Sequence, residues 1–178
     1  MGKHLEVILS GFGGQGILSG GYLLAYAGMI EDMHVSWLPS YGPEMRGGTA
    51  NCNVIVSDKP VGSPIITNAT ALIAMNTPSF AKFERFVEKG GFIIYDSSLA
   101  DAVPSRSDVV YCGIPATRLA TDMGNLVYAN MILLGKLVSL TDIFSMNSII
   151  SALSKILPEK KHHLIPDNIK ALESGSNY

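Results

Sequence analysis

Two short segments carry the residue types and spacing that could do chemistry. The first is Gly11-Phe12-Gly13-Gly14-Gln15-Gly16, in which Gly11, Gly13 and Gly16 satisfy G-x-G-x-x-G. It follows an apolar run, Leu5 to Gly11, and precedes a stretch of small residues, so the motif stands between a predicted strand and a predicted helix, the context that gives it value. Glycines reach positive φ and let backbone approach a neighbour closely, and the free N–H groups that open a helix attract anions. Gly11, Gly13, Gly14, Gln15 and Gly16 are therefore read as a surface for an anion or a partner chain. The bland alternative is a turn that only lets strand and helix pack. The second segment runs from Tyr41 to Gly48 and holds one aromatic, one acid, one base, a proline and three glycines. Pro43 stiffens it, and Gly42, Gly47 and Gly48 permit unusual backbone angles. Arg46, flanked by small residues, can grip a carboxylate or phosphate in bidentate fashion, with Glu44 steadying the guanidinium. Equally, Arg46 and Glu44 could form a surface ion pair of little energetic weight.

Other chemistries are poorly supported. A dinucleotide site needs an acid about 20 positions beyond the glycines, at the end of the second strand, to hold the ribose. Glu31 and Asp32 have the count but precede the predicted second strand, whose end reads Trp37-Leu38-Pro39-Ser40. Cys52 and Cys112 are far apart and form no Cys-x-x-Cys pair; they are expected to be reduced, buried thiols. A cubane iron–sulfur cluster takes four cysteines, more than this chain has. His162 and His163 are adjacent and would not face one another on a helix, and no metal site is expected. No Gly-x-Ser-x-Gly elbow marks a hydrolase. Asp96 at a strand end suits a cap as well as a site. Asn130, in an otherwise apolar helix, should have hydrogen-bond partners. It is read as a satisfied core amide, with a functional contact as the alternative.

The elements that must position these residues follow from the pattern of the whole chain. It has 178 residues, a formal net charge of −2 and 16% charged residues, against about 25% in typical domains. Without a basic stripe, nucleic-acid binding is not expected. No apolar run of about 18 residues predicts a membrane span, the N-terminus lacks a secretory signal, and a cytoplasmic location is expected. Strands are predicted at Leu5–Gly11, His34–Leu38 (ended by Pro39), Asn51–Ser57, Ala71–Met75, Phe92–Tyr95 and Asp108–Cys112. Asn51–Ser57 alternates polar and apolar residues, as an antiparallel strand near an edge would. Helices are predicted from Gly16 to Ile30, from Thr77 (N-cap) and Pro78 (first helical residue) through Phe80, Phe83, Phe86 and Val87 to Lys89-Gly90-Gly91, through the uncharged stretch Leu126 to Gly135, and from Phe144 to Leu157, with an amphipathic tail after Pro166. The small residues of the first helix predict that another element or chain comes very near its face. The fold expected is a single α/β domain over residues 1–178. It is a Rossmann-like, doubly wound, mostly parallel sheet with helices on both faces and a helical C-terminal part.

The glycine turn, taken with Ser40-Tyr41-Gly42-Pro43-Glu44-Met45-Arg46-Gly47-Gly48 and with Asn130-Met131-Ile132-Leu133-Leu134-Gly135, resembles the gamma subunit of 2-oxoacid:ferredoxin oxidoreductases. The resemblance covers about Leu5 to Leu137. It implies an accessory subunit of an enzyme that converts a 2-oxoacid and coenzyme A to an acyl-coenzyme A and CO₂ while reducing ferredoxin. It carries no catalytic residue and no cofactor of its own. Thiamine diphosphate with magnesium and the iron–sulfur clusters would sit on alpha and beta (thiamine-binding) subunits and a ferredoxin-like subunit. By the same resemblance Arg46, with Tyr41 and Glu44, faces the oxoacid carboxylate or the coenzyme A phosphates. Pyruvate-type chains tend to carry Phe-Gly and a paired Arg-Arg-Gly in this loop, so Tyr41-Gly42-Pro43 and a single Arg46 look more like the 2-oxoglutarate branch. An isolated gamma-type chain could pair with a second copy through the surface meant for its partners. The competing class is a self-sufficient NAD(P)- or flavin-binding protein of Rossmann type, and a weaker third is a nucleotide-responsive regulatory module.

Overall fold

A computed structural model describes residues 2–40, 49–101 and 103–178. The apolar run after the N-terminus forms β1 (His4–Phe12), central in a six-stranded sheet. The chain then forms α1 (Ile17–Ile30), β2 (His34–Ser40), β3 (Thr49–Ser57) and β4 (Ala69–Ala74). It continues through α2 (Thr77–Phe83), a 3₁₀ turn (Glu84–Phe86), β5 (Val87–Asp96) and β6 (Val110–Ile114). The helical end comprises α3 (Ala116–Asp122), α4 (Tyr128–Thr141), α5 (Met146–Ile156), a 3₁₀ segment (Glu159–Leu164) and α6 (Ile165–Asn177). The strand order is β2-β3-β1-β4-β5-β6. β1, β4, β5 and β6 pair in parallel, and β3 runs antiparallel to both of its neighbours. The alternation in Asn51–Ser57 is thus an antiparallel strand one place in from the edge. The expected α/β architecture holds, with β3 as the strand that opposes the rest.

Alternation along β1 divides the core. Leu5, Val7 and Leu9 point to one face, where they meet α1, α4, α5 and α6, while Ile8 joins Ile55, Leu72, Phe80 and Ile93 on the other. That second face is covered by α2 and the chain around Ile66, a thin layer compared with the helices opposite. α4 is buried from Tyr128 through Gly135 and again at Leu137 and Val138, as an uncharged helix should be. The closely approached face of α1 is explained within the chain. A Cβ on Gly21 would overlap Cys52 Sγ on β3 and come within 3.1 Å of Trp37 Nε1 on β2.

Four local readings are corrected. Asn76 is the N-cap of α2, its side chain accepting from Ser79 N at 2.9 Å, so Thr77 opens the helix and Pro78 lies within its first turn. The helix stops at Phe83 instead of continuing to Gly90, and Val87 starts β5, paired with Ala69. The Phe80, Phe83, Phe86 spacing continues a helical stripe, but the ladder to β4 captures Val87 first. Pro39 lies inside β2, tolerated because β2 is an edge strand. α3 was not foreseen, and the last strand is shifted to Val110–Ile114.

The helical end is locked by backbone contact. A Cβ on Gly135 would run into the Leu172 carbonyl of α6, and one on Gly175 into the Ile132 carbonyl of α4. Backbone atoms cannot step aside as side chains do. Gly135→Ala is therefore expected to lower stability by about 1–3 kcal/mol, read as a lower urea midpoint with an unchanged slope.

Candidate functional site

β1 ends in the glycine turn, and the turn is closed from within. Gln15 N donates to Phe12 O at 3.2 Å, and Phe12 N donates to Gln15 Oε1 at 2.6 Å. Gly14 and Gly16 have φ of 94° and 77°, values that L side chains reach at a cost. Gly16 is the N-cap of α1. Its carbonyl accepts from Gly20 N and from Asn130 Nδ2, each at 2.8 Å. The turn forms a ridge between two recesses. One, of about 290 Å³, is lined by Phe12, Gly13, Gly16, Leu18 and Ala50. The other, of about 300 Å³ and mainly apolar, is lined by Gln15, Met75, Leu99, Thr117, Leu126 and Val127. Gly14 borders both.

Tyr41, Glu44 and Arg46 lie outside the described residues. The register on either side is nonetheless informative. Ser40 pairs with Asn51, Ala50 with Gly11, and Thr49 with Phe12. The chain thus enters and leaves the 41–48 segment at the same sheet edge as the glycine turn. Thr49, which follows the second motif, is thus a ladder partner of Phe12 in the first.

The candidate acids are committed elsewhere, Glu31 and Asp32 at the far end of α1 from the turn. Glu31 Oε1 accepts from Ser145 N at 2.9 Å and from Ser148 Oγ at 2.7 Å, holding the start of α5. Hydrogen bonds from Ser148 and then Ser145 lower its pKa below the ordinary glutamate value. Asp32 sits in the turn after α1 with φ 55°. β2, whose tip would carry a ribose-binding acid, is separated from β1 by β3, about 9–10 Å away at ordinary strand spacing. Among the described residues no acid stands at the tip of β2 beside the glycine turn. Asp96, fully buried, is a cap: it accepts from Ser98 N at 3.0 Å, from Thr117 N at 3.1 Å and from Thr117 Oγ1, so it fixes the start of α3.

Thiol and metal chemistry find little footing in these side chains. Cys52 is buried, and burial pushes its thiol up to about 12. Cys112 is half-buried, and burial raises it as well. Among the described residues no three His, Cys, Asp or Glu side chains gather as metal ligands, and no helix is long and apolar enough to cross a membrane. Asn130 is tied to Gly16 through Nδ2, while its buried Oδ1 has no partner among the described residues. The sequence reading missed Met75, Leu99, Thr117, Leu126 and Val127. The available signal was the apolar pair Leu126-Val127 ahead of α4, which is 61% and 52% exposed where an internal element would be covered.

Residues 6–178 match the family described as pyruvate ferredoxin/flavodoxin oxidoreductase. The chain belongs to this family. Among its relatives is ketoisovalerate oxidoreductase subunit VorA of Methanothermobacter marburgensis, 36% identical over 99% of this chain and 37% of the relative. Another is 2-oxoglutarate synthase subunit KorC of Methanocaldococcus jannaschii, 35% identical over 86% of this chain and 84% of the relative. The chain therefore spans little more than a third of the VorA polypeptide and most of the KorC one. The gamma subunit of a keto/oxoacid ferredoxin oxidoreductase from Geobacter sulfurreducens superposes with a TM-score of 0.82 at 30% identity, covering 97% of this chain and 96% of that one. The 2-oxoglutarate:ferredoxin oxidoreductase of Magnetococcus marinus, solved with 2-oxoglutarate, coenzyme A and succinyl-CoA bound, gives 0.87 at 26% identity, over 98% of this chain and 31% of that one.

The role of Glu31 as a tie to α5 sets a pH dependence. Its folded-state pKa is depressed, so the stabilisation is present above the unfolded-state value and is lost as pH falls through the folded one. Urea unfolding of the wild type and Glu31→Gln should differ by about 1 kcal/mol near neutrality. That gap should close as pH drops below about 4; a gap that widens in acid would contradict the assignment.

Proposed function

We propose that this chain is the gamma-type subunit of a 2-oxoacid:ferredoxin oxidoreductase and contributes a wall of the shared active site. The reaction joins a 2-oxoacid to coenzyme A as an acyl thioester. The bond between the oxo carbon and the carboxylate breaks and releases CO₂, the thiol gives up its proton, and the electron pair passes to ferredoxin or a similar iron–sulfur carrier. Thiamine diphosphate, with magnesium, supplies the electron sink for the carbon chemistry when bound. It and the iron–sulfur clusters are assigned to alpha and beta chains and a ferredoxin-like chain, in keeping with a donor set here that has two cysteines where a cubane takes four.

The observation that supports this reading is the ladder that sets Thr49, which follows the Arg46 segment, beside Phe12 of the glycine turn, with Ser40, which precedes that segment, at the same end of the sheet. Arg46 would act there by position and charge: a guanidinium stays protonated, so it neutralises an oxoacid carboxylate or coenzyme A phosphates without moving a proton. Tyr41 and Glu44 would steady it. The glycine turn offers backbone to the same site, with Gly13 and Gly14 between the two recesses. Among oxoacids we favour 2-oxoglutarate, giving succinyl-CoA. The KorC relative matches this chain over nearly its whole length, and the single Arg46 agrees. A branched-chain oxoacid is the second reading, supported by the 36% identity to VorA.

Co-expression with the thiamine-binding and ferredoxin-like chains tests both levels. The assembled complex should reduce ferredoxin with coenzyme A and 2-oxoglutarate, and faster than with 3-methyl-2-oxobutanoate; the reverse order would select the second reading. Arg46→Ala should leave assembly intact and lower kcat/KM for coenzyme A or the oxoacid by about 10–100-fold, the value of a lost charged hydrogen bond. Unchanged kinetics would remove Arg46 from the site. Saturable binding of NAD to the isolated chain would overturn the assignment altogether.

A further inference from the structure

We infer that Gln15 and Asn130 are positioning residues of the assembled enzyme, which together hold the glycine turn in the shape that the shared site requires. The inference rests on the functional reading above. Gln15 lies inside the turn and closes it, its Oε1 taking the Phe12 N–H at 2.6 Å. Asn130 holds the other end from a distance of 114 residues in sequence, donating Nδ2 to the Gly16 carbonyl at 2.8 Å. The amide also fills the space beside Gly16, where a Cβ would overlap Asn130 Nδ2. Turn and α4 are therefore tied by one hydrogen bond and in direct packing contact.

Local stability does not account for Asn130. The side chain is 5% exposed within a helix of Met, Ile, Leu and Val, and its Oδ1 is buried with no partner among the described residues. An orphaned buried acceptor costs about as much as the single bond at Nδ2 returns, and replacing such a group by an apolar one of similar shape can be neutral or stabilising. The specific gain from the amide is its grip on one carbonyl. That carbonyl ends the turn whose Gly14 and Gln15 line the apolar recess, and the opposite wall of this recess, Leu126 and Val127, leads directly into α4. The bond from Asn130 thus sets the spacing between the turn and the far wall of the recess.

The test uses the co-expressed complex with Asn130→Leu, Gln15→Met and the double variant. For Asn130→Leu the urea midpoint of the chain is expected unchanged or raised, and all three complexes are expected to assemble with wild-type stoichiometry. In each single variant kcat/KM for coenzyme A or the 2-oxoacid should fall roughly tenfold or more, since small misplacements at a reacting centre cost factors of this size and above. The double variant should lose no more than the worse single one, because both act through one turn. Wild-type kinetics in both single variants would overturn the inference, as would losses that multiply in the double. A kinetic loss in Asn130→Leu accompanied by a lowered midpoint would assign that residue to stability alone, and Gln15→Met at wild-type rates would then overturn what remained. Failure of the wild-type chain to bind its partners is a separate result, which removes the functional reading and the positioning role with it.

Discussion

The β1–β3 ladder is the constraint on which the rest of the molecule depends. It runs unbroken from His4↔Ser57 to Phe12↔Thr49, the full length of β1. Because β3 occupies this place, β2 is displaced to the edge. α1, which connects β1 to β2, must then cross over β3, and it does so on glycine: Gly21 against Cys52, and Gly28 against Val35 and Val56. Each interior glycine costs a helix about 1 kcal/mol relative to alanine. That cost is offset by bringing α1 close enough to bury Leu23, Leu24 and Ala27 completely, worth about 1.5–3 kcal/mol for each large side chain. The same strand order determines the chemistry available. It keeps the tip of β2, where a ribose-binding acid would stand, one strand away from the glycine turn, and it sets Thr49, where β3 begins, beside Phe12.

The low charge of the chain has a structural origin in the helical end. α4 is enclosed by the sheet, α3 and α6, and Gly135 and Gly175 let α4 and α6 meet backbone to side-chain-free backbone. A helix enclosed in this way has no face for Lys or Glu, which accounts for the uncharged stretch from Leu126 to Gly135. Enclosure explains α4 itself, but it does not explain Leu126 and Val127, which precede the helix and stand exposed beside Leu99 on the wall of the apolar recess.

Elements whose residues make their case locally were legible in the sequence. β1, the turn and α1 announce themselves through an apolar run, glycine spacing and small residues within thirty positions. β3 was readable as antiparallel because one face alternates. What was missed depends on distant partners. The end of α2 is decided by the pairing of Val87 with Ala69, which the aromatic stripe Phe80, Phe83, Phe86 gives no hint of. α3 is short and has no side-chain cap of its own, since Pro115 precedes it; its first turn is held by Asp96, 21 residues back. At the site, the glycine turn could be named from sequence, whereas the recess beside it is assembled from Met75, Leu99, Thr117 and Leu126 on separate elements, and no spacing rule connects them.

Two buried polar side chains near the same edge of the sheet show how structure and function divide there. Asp96 is wholly buried, with three donors converging on its side-chain oxygens from Ser98 and Thr117. Buried polar groups are held by hydrogen bonds in this way, and these three fix the start of α3. Asn130 is engaged at one end only. Asn76 shares this half-satisfied state, its Oδ1 capping α2 while its Nδ2 is buried without a partner among the described residues. In Asn130 the satisfied half reaches the Gly16 carbonyl at the end of the glycine turn. On the positioning role inferred above, that bond serves the geometry of the turn, and the partner chains of the complex are where the demand for it would arise.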